Sequence, residues 1–269
     1  MYAFNYHKPT SVSDAVALLA GNDEAKAMSG GQTLLPAMKL RLAGPSDVVD
    51  LSGLRQSLSG ISEASDTVVI GAMTRHGEIA TSELLTRKIP ALATMASWVG
   101  DPAVRSRGTM GGSIANNDPA ADYPAAALAL GATIVTNSRE IAADDFFLGL
   151  FETALGQGEL VTKIVWPQPR KAGYAKFRNP ASRYAMVGVF VAQRSDGSVR
   201  VTVTGAGVSG VFRATAFEDA LSKDFTEAAI AGIKASTDGI NSDIHADATY
   251  RAHLIGVMAK RALSMANGG

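Results

Sequence analysis

Apolar residues follow the helical period in some segments of the chain and the two-residue period of strands in others. The clearest helix begins at Ser11, which has capping-box spacing to Asp14, and ends at Gly21. Further helices are predicted at residues 75–85, 89–99 and 124–130, with a short one after residue 34. Strands are predicted at residues 26–28, 48–51, 67–72, 133–136 and 160–166. Helices and strands therefore alternate irregularly over the first part of the chain.

The order of elements changes after a proline-containing segment at residues 167–171. Beyond this segment the pattern predicts strands at residues 174–178, 186–194 and 199–208, followed by helices at residues 215–221, 226–234 and 249–265. Strands grouped before helices are typical of α+β domains. We therefore predict an α+β fold with a first domain at residues 1–170, a linker near its end, and a second domain at residues 171–269.

Two glycine-rich segments carry the strongest candidate chemistry, Ser29 to Thr33 and Thr109 to Ser113. Each combines a Gly-Gly step with small hydroxyl side chains, so each is expected to offer bare backbone N–H groups and hydroxyl donors to a phosphate. Gly-Gly pairs more often make ordinary turns. The second pair, however, lies in a polar stretch at residues 100–124 that has no amphipathic period, which we interpret as a long functional loop. Two such segments suit a diphosphate.

The charge balance excludes several classes of partner. The 269 residues include 25 basic and 25 acidic side chains, so no net field favours nucleic acid or an anionic membrane. The chain has no uninterrupted apolar stretch near the length of about eighteen residues that would span a membrane. The N-terminal residues lack the features of a signal peptide. We predict a cytoplasmic protein with no membrane span.

The absence of cysteine narrows the chemistry further. It excludes disulfides, cysteine-ligated iron–sulfur clusters, cysteine zinc sites, a thiol nucleophile and cysteinyl attachment of a flavin. The four histidines, His7, His76, His245 and His253, are scattered and show no metal-ligand spacing. We therefore predict no metal site on this chain and interpret the histidines as surface or packing residues.

Two other patterns give little support to a further site. Residues 205–210 fit G-x-G-x-x-G after a strand, but no acidic strand end follows and too few residues remain for a doubly wound domain, so a strand-end turn is favoured. Asp118 and Asp122 are four residues apart in a proline-interrupted segment, which disfavours a paired-carboxylate site. No Ser/His/Asp set is apparent. The chain is therefore expected to hold a cofactor and not to supply its own acid, base or nucleophile.

With these segments in view, the chain resembles the FAD-binding medium subunits of molybdenum hydroxylases, the xanthine dehydrogenase and carbon monoxide dehydrogenase family. The resemblance covers nearly the whole chain. It is carried by Ser29 to Pro36 with Met38 to Arg41, by Arg107 to Ser113 with Asp118 to Asp122, and by Tyr250-Arg251. It implies a two-lobed FAD-binding domain of the vanillyl-alcohol oxidase (PCMH) type, with lobes near residues 1–55 and 56–170, and a smaller α+β domain at residues 171–269.

The resemblance also implies a set of cofactor residues. Tyr184 corresponds to an aromatic residue beside the isoalloxazine and is a candidate gate to the flavin. The residues expected to bind non-covalent FAD are Ser29, Gly30, Gly31, Gln32, Thr33, Leu34, Gly100, Thr109, Gly111, Gly112, Ser113, Asp122, Leu160, Lys176 and Tyr184.

The function implied by the resemblance is electron transfer within a complex. A large subunit would carry molybdenum–pterin, a small subunit would carry two 2Fe-2S clusters, and the FAD on this chain would pass electrons to an external acceptor. The expected assembly is a dimer of heterotrimers. Two alternatives remain at this point: a stand-alone FAD oxidoreductase of the same fold, and a non-catalytic assembly protein that has lost FAD.

Overall fold

A computed structural model describes residues 1–268 of the chain. The first elements are built around one short parallel sheet. They are β1 (Asn5–His7), α1 (Val12–Ala20), β2 (Lys26–Met28), α2 (Leu34–Lys39), β3 (Asp47–Asp50), a 3₁₀ turn (Leu51–Leu54) and α3 (Arg55–Leu58). The sheet has three strands in the order β1-β3-β2, all parallel. Its core includes Ala15 and Leu19 of α1, packed with Val49 of β3.

A second group of elements is organised on a five-stranded sheet. Its elements are β4 (Ile61–Ala64), β5 (Thr67–Gly71), α4 (His76–Ala80), α5 (Glu83–Lys88), α6 (Pro90–Ser97), α7 (Pro102–Arg105), α8 (Met110–Asn116), α9 (Tyr123–Leu130), β6 (Thr133–Thr136), β7 (Glu140–Ala142), α10 (Ala143–Phe146), β8 (Phe147–Gly149), β9 (Glu152–Thr153) and β10 (Val161–Pro167). The sheet order is β4-β5-β10-β6-β7, with antiparallel pairing throughout, and β8 and β9 form a separate hairpin.

The last group places a four-stranded antiparallel sheet before the final helices. Its elements are β11 (Lys171–Arg178), β12 (Ala185–Gln193), β13 (Val199–Thr204), β14 (Phe212–Arg213), α11 (Thr215–Lys223), α12 (Glu227–Ile230) and α13 (Ala248–Ala266). One face of the sheet packs against α13, where Val187, Val189 and Val191 meet Ile255. The strands-then-helices order and the α+β fold class predicted from sequence are confirmed.

Helix α9 packs against both of the larger sheets, and every one of its residues is buried. The other face of the C-terminal sheet contributes Tyr174, Phe190 and Ala192 to the same core as α9 and the five-stranded sheet. The hydroxyl of Thr202 on β13 donates to the Ala125 carbonyl of α9, at 2.7 Å. The predicted boundary at residue 170 lies in the short connection between β10 and β11, but the core continues across it.

The structure corrects two of the sequence predictions. The single helix predicted at residues 75–85 is two helices, α4 and α5, because the Ser82 side chain accepts from the Leu85 N–H and starts a new helix. The stretch at residues 100–124 is not one loop, since it contains α7, α8 and the start of α9. Between residues 1 and 268, no helix is long and apolar enough to cross a membrane.

Candidate functional site

A cleft of about 990 Å³ lies where the parallel sheet, the five-stranded sheet and the C-terminal sheet meet. Its volume is at the upper end of the range of small-molecule and cofactor sites. All of the predicted cofactor residues except Lys176 line it. The sequence motifs therefore converge in one place, although their contacts with FAD stay a prediction.

The first glycine segment supplies unpaired backbone donors. Gly31 has φ +73°, which turns the chain into α2, and its carbonyl accepts from the Leu35 N–H at 3.1 Å. Across residues 1–268, no protein group accepts a hydrogen bond from the backbone N–H groups of residues 30–34. The residues that carry these N–H groups are half-buried or exposed, and all of them line the cleft. This segment therefore matches the prediction of bare donors for an anion.

The second glycine segment is built differently from the prediction. Thr109 caps α8, so Gly111 and Gly112 lie in the first turn of a helix and not in a loop. The N–H groups of this turn are already used, Met110 donating to Thr74, Gly111 to Ala72, and Gly112 to the Thr109 hydroxyl. The segment therefore offers hydroxyl groups and close approach, and few free N–H groups.

The two glycines of α8 have separate tasks. A Cβ on Gly111 would stand 2.5 Å from the Cβ of Ala72, so this glycine lets α8 pack on the chain after β5. A Cβ on Gly112 would stand 2.9 Å from the Thr109 hydroxyl oxygen and 3.9 Å from the Cβ of Ser29, on the cleft side. Gly112 therefore keeps open the space between the two segments.

Contacts between the two segments fix their spacing. The hydroxyl oxygens of Ser29 and Thr109 lie 2.8 Å apart and share a hydrogen bond, although the residues are 80 positions apart in sequence. Gly30 lies so close to the backbone of Arg107 that a Cβ on Gly30 would collide with the Arg107 carbonyl oxygen. The backbone N–H groups of the first segment and the hydroxyl groups of the second are therefore held side by side.

Asp122 is held by a buried charged network. The Lys176 ammonium lies 3.0 Å from both carboxylate oxygens and also donates to the Trp98 carbonyl, and the Tyr174 hydroxyl donates to Asp122. Burial raises the pKa of the Asp122 carboxyl above its ordinary value, while the lysine charge and the tyrosine hydroxyl oppose that rise. Lys176 does not line the cleft, so its position is behind Asp122.

His76 is a cleft residue that sequence reasoning missed. It is 5% exposed, lines the cleft, and its Nδ1 lies 3.2 Å from the Tyr123 hydroxyl. Burial, assisted by the Arg105 charge, lowers the pKa of His76 to about 4, so the ring is neutral at physiological pH. No sequence signal distinguishes this histidine from the other three.

Tyr184 reaches the cleft from the C-terminal sheet. It lies on the turn between β11 and β12, and Ser182 and Arg183 of the same turn also line the cleft. Its ring packs edge-on against His245, with ring centroids 6.3 Å apart. The buried Asn179 donates from Nδ2 to the Tyr184 hydroxyl at 3.0 Å. The predicted gate residue is thus held on two sides.

A second missed residue, Asn117, ties α8 to the rim of the cleft. It ends α8 in the left-handed conformation, with φ +43°, and its Nδ2 donates to the carbonyls of Gly149 and Glu152, both at 2.8 Å. Its own backbone carbonyl accepts from the Phe151 N–H. Phe151 lines the cleft and is 56% exposed. Asn117 therefore holds the backbone that carries this apolar side chain at the cleft edge.

No metal centre is apparent beside the cleft or elsewhere in the part of the chain that the structure describes, since no three His, Cys, Asp or Glu side chains are grouped to hold an ion. The G-x-G-x-x-G segment is a turn after β13, with Gly205 at φ +81°. The cleft, with its donor-rich glycine segment and hydroxyl-lined helix start, has the features of a site in the class of proteins that hold a large phosphorylated cofactor.

Comparisons with known proteins identify that class more closely. The family described as "FAD binding domain in molybdopterin dehydrogenase" matches residues 2–169. The carbon monoxide dehydrogenase medium chain of Hydrogenophaga pseudoflava is 37% identical, covering 98% of this chain and 96% of the relative. The nicotine 6-hydroxylase medium subunit of Paenarthrobacter nicotinovorans is 35% identical, covering 97% and 96%. The solved structure of quinoline 2-oxidoreductase from Pseudomonas putida 86 matches with TM-score 0.87 at 29% identity, covering 99% and 98%.

The chain therefore belongs to the family of FAD-binding medium subunits of molybdenum hydroxylases, as the sequence predicts. It is an FAD-dependent oxidoreductase subunit, its cofactor is FAD, and its α+β fold is that of the carbon monoxide dehydrogenase medium chains.

Proposed function

We propose that the chain binds FAD non-covalently in the cleft and passes electrons from iron–sulfur clusters of a partner subunit to an external acceptor. The observation that carries the proposal is the junction of the two glycine segments. The Ser29–Thr109 hydrogen bond holds free backbone donors beside two hydroxyls and a helix start, a combination that suits the diphosphate of FAD.

Each part of the junction has a proposed role. The N–H groups of residues 30–34 donate to the diphosphate, and the hydroxyls of Thr109 and Ser113 add donors from the other side. Gly112, which has no side chain, lets the diphosphate come close to the start of α8. The absence of a side chain at Gly112 suits this role, because even a Cβ there would press on the Thr109 hydroxyl oxygen at 2.9 Å.

Lys176 acts on the cofactor site through Asp122. The lysine ammonium compensates the buried carboxylate and fixes its orientation, so that Asp122 presents a fixed acceptor to a hydroxyl-bearing part of FAD. This role differs from the direct cofactor contact predicted for Lys176. It explains why a residue of the family pattern lies outside the cleft lining.

Bound FAD supplies the redox chemistry, and the protein groups around it bind, orient and shield. His76 is neutral at physiological pH and hydrogen-bonded to Tyr123, so it fills the cleft wall without adding charge. Tyr184 covers the mouth of the cleft from the C-terminal sheet and controls access of water and acceptor. These roles match a chain that transfers electrons and leaves substrate chemistry to a partner.

The assembly proposed is a heterotrimer, paired into a dimer, with a large molybdenum–pterin subunit and a small 2Fe-2S subunit. Two findings support a division of labour. The chain has no cysteine to ligate clusters. The relatives are named for carbon monoxide, nicotine and quinoline, which differ greatly as substrates, although each matches nearly the whole of this chain. Substrate selection therefore belongs to another subunit. The cytoplasmic location stays a prediction.

Two experiments test the proposal. The purified chain, incubated with FAD and desalted, should retain flavin absorption bands, and the Gly112→Val variant should retain less. Absence of flavin bands in the wild-type chain, both alone and in the complex purified from its host, would refute FAD binding. Purification from the native host should recover one partner with molybdenum and one with iron and acid-labile sulfide, and recovery of the chain alone would refute the heterotrimer.

A further inference from the structure

The turn that carries Tyr184 is organised by one buried residue, Asn179. Asn179 is 4% exposed and follows the last residue of β11. Its backbone N–H donates to the Tyr184 carbonyl at 2.9 Å, and its backbone carbonyl accepts from the Arg183 N–H at 2.9 Å. Its Oδ1 accepts from the Ala181 N–H at 2.9 Å, and its Nδ2 donates to the Tyr184 hydroxyl at 3.0 Å. Both backbone polar groups and both side-chain polar atoms of Asn179 therefore bind the turn.

The backbone of the turn is strained where Tyr184 begins to enter the cleft. Arg183 has φ +66°, in the left-handed region that a non-glycine residue with a long side chain seldom adopts. The bonds from Asn179 to Ala181, Arg183 and Tyr184 bracket this residue and maintain the conformation. Such strain at a cleft is typical of a functionally constrained position.

The hydrogen-bond partners of Asn179 determine in which direction the Tyr184 hydroxyl can donate its proton. A backbone N–H is only a donor, so the side-chain atom that faces Ala181 must be the amide oxygen. The amide nitrogen then faces Tyr184 and donates to its hydroxyl oxygen. The hydroxyl proton of Tyr184 is consequently directed away from Asn179, and no acceptor for it is found in residues 1–268. Tyr184 lines the cleft, and its hydroxyl proton is left without an acceptor among the described residues.

We propose that Asn179 is a positioning residue for Tyr184: it holds the ring at the mouth of the cleft and reserves the hydroxyl proton for an acceptor on the bound cofactor. The inference rests on the proposed binding of FAD. It adds a specific hydrogen-bond donor to the cleft and names the residue that sets the donor's direction.

A double-mutant cycle tests this role. In Asn179→Asp the Oδ1 acceptor for Ala181 is kept, but the other atom becomes an acceptor, so the Tyr184 hydroxyl turns to donate to it. In Tyr184→Phe the hydroxyl is removed and the ring stays. We expect each variant to raise the Kd for FAD about threefold to tenfold, as for loss of one hydrogen bond. We expect the double variant to be no weaker than either single variant, because both remove the same donor.

The measurements are fluorescence titration of the full-length chain with FAD and the visible spectrum of the bound flavin. The titrations are repeated in the complex that the chain forms in its host. Each single variant should shift the flavin bands in the same direction, which a role in folding alone would not do. The matched control is Asn241→Asp, which changes a donor that serves the Gly207 carbonyl away from the cleft and should leave the Kd unchanged.

Three results would overturn the inference. The first is an Asn179→Asp chain that binds FAD as tightly as wild type. The second is a further loss of affinity when Asn179→Asp is added to Tyr184→Phe, since the new charge and not the hydroxyl would then explain the effect. The third, decisive even if Asn179→Asp fails to fold, is a Tyr184→Phe chain with unchanged Kd and spectrum. A wild-type chain that does not bind FAD refutes the proposed function itself, and the inference with it.

Discussion

Replacing Gly112 by valine tests whether α8 stands against the FAD diphosphate. A Cβ at this position would lie 2.9 Å from the Thr109 hydroxyl oxygen, closer than side chains tolerate, and 3.9 Å from the Cβ of Ser29. Thr109 must therefore move, and its 2.8 Å hydrogen bond to Ser29 is strained or broken. The two further carbons of valine would extend into the gap that Gly112 keeps open.

The expected magnitude depends on the donors that are displaced. A hydrogen bond to a charged group contributes about 1.5–3 kcal/mol, so the loss of one hydroxyl from the diphosphate weakens FAD binding roughly tenfold to 150-fold. Gly112→Ala should give the lower part of this range, because it moves Thr109 without filling the gap. Gly112→Val should give the upper part. The assay is titration of the apo chain with FAD, followed by flavin fluorescence.

The stability of the apo chain should change little. Alanine in place of glycine within a helix contributes about 0.5–1 kcal/mol in favour of folding. A weakened Thr109 cap, whose hydrogen bond to the Gly112 N–H is already long at 3.3 Å, costs a similar amount. Gly111→Ala is the contrast, since it meets the Cβ of Ala72 at 2.5 Å and should destabilise the fold by about 1–3 kcal/mol. Gly232→Ala, which meets nothing within 4 Å, is the neutral control.

An unchanged Kd for Gly112→Val, measured on a chain that unfolds at the wild-type temperature, would refute the placement of the diphosphate beside α8. A chain that loses FAD only because it is unfolded would not support it either. The thermal melt of each apo variant therefore accompanies each titration.

Three further predictions concern groups behind and beside the cleft. Lys176→Met leaves the Asp122 carboxylate buried without its counter-charge, so we expect a loss of about 3–5 kcal/mol in denaturant unfolding, and a wild-type midpoint would contradict the network. His76 has a pKa of about 4 in the folded chain and an ordinary value of 6.5 in the unfolded chain, so the unfolded chain binds the proton more readily. The free energy of unfolding is therefore unaffected by this group above pH 6.5 and decreases as the pH falls towards 4, by about 3 kcal/mol in all. Urea unfolding of His76→Gln should lack that pH-dependent loss, and parallel wild-type and variant curves would exclude it. Asn117→Gly keeps the left-handed backbone but removes two hydrogen bonds to the rim, so amide exchange at Phe151 should accelerate several-fold, and unchanged exchange would show that the rim is held by other contacts.

The elements that sequence predicts well carry their own local signals. Helix α1 starts where Ser11 accepts from the Asp14 N–H and ends at Gly21. Helix α13 is predicted at residues 249–265 and is found at Ala248–Ala266, because its length and apolar spacing are unambiguous. The split between α4 and α5 escapes the sequence pattern, although the Ser82 cap is present, because an apolar period continues across it.

The second glycine segment shows what local pattern cannot reveal. Helix α8 has seven residues, and Met110, Gly111 and Ile114 in it are buried, so it has no regular polar face. Its start is fixed by bonds to Ala72 and Thr74, which are distant in sequence. A short helix stabilised by tertiary contacts resembles a loop in sequence. The resemblance predicts residues that the structure brings to one cleft, while their arrangement there requires the fold.

The residues that sequence reasoning missed were missed for a different reason. His76 meets Tyr123, and Asn117 meets the backbone near residue 150, across separations of 47 and more than 30 positions. Asn179 is close to Tyr184 in sequence, but asparagine before proline is common in turns. Nothing in the sequence therefore indicates that its side chain binds the Tyr184 hydroxyl. Residue type alone does not separate a histidine or asparagine in the cleft from one on the surface.

The buried pair of Asp122 and Lys176 links the cleft to residues on both sides of the predicted domain boundary at residue 170. Asp122 precedes α9 in the first domain, and Lys176 lies on β11 in the second. The hydroxyl of Thr204 on β13 also donates to the Ala121 carbonyl at 2.6 Å, next to Asp122. The lining residues Ala121 and Asp122 are thus held by contacts from the C-terminal sheet, and the turn between its strands β11 and β12 carries Tyr184. Although the FAD-binding family match ends at residue 169, the cleft is also lined by Ser182, Arg183 and Tyr184 of the β11–β12 turn, which lies beyond that match.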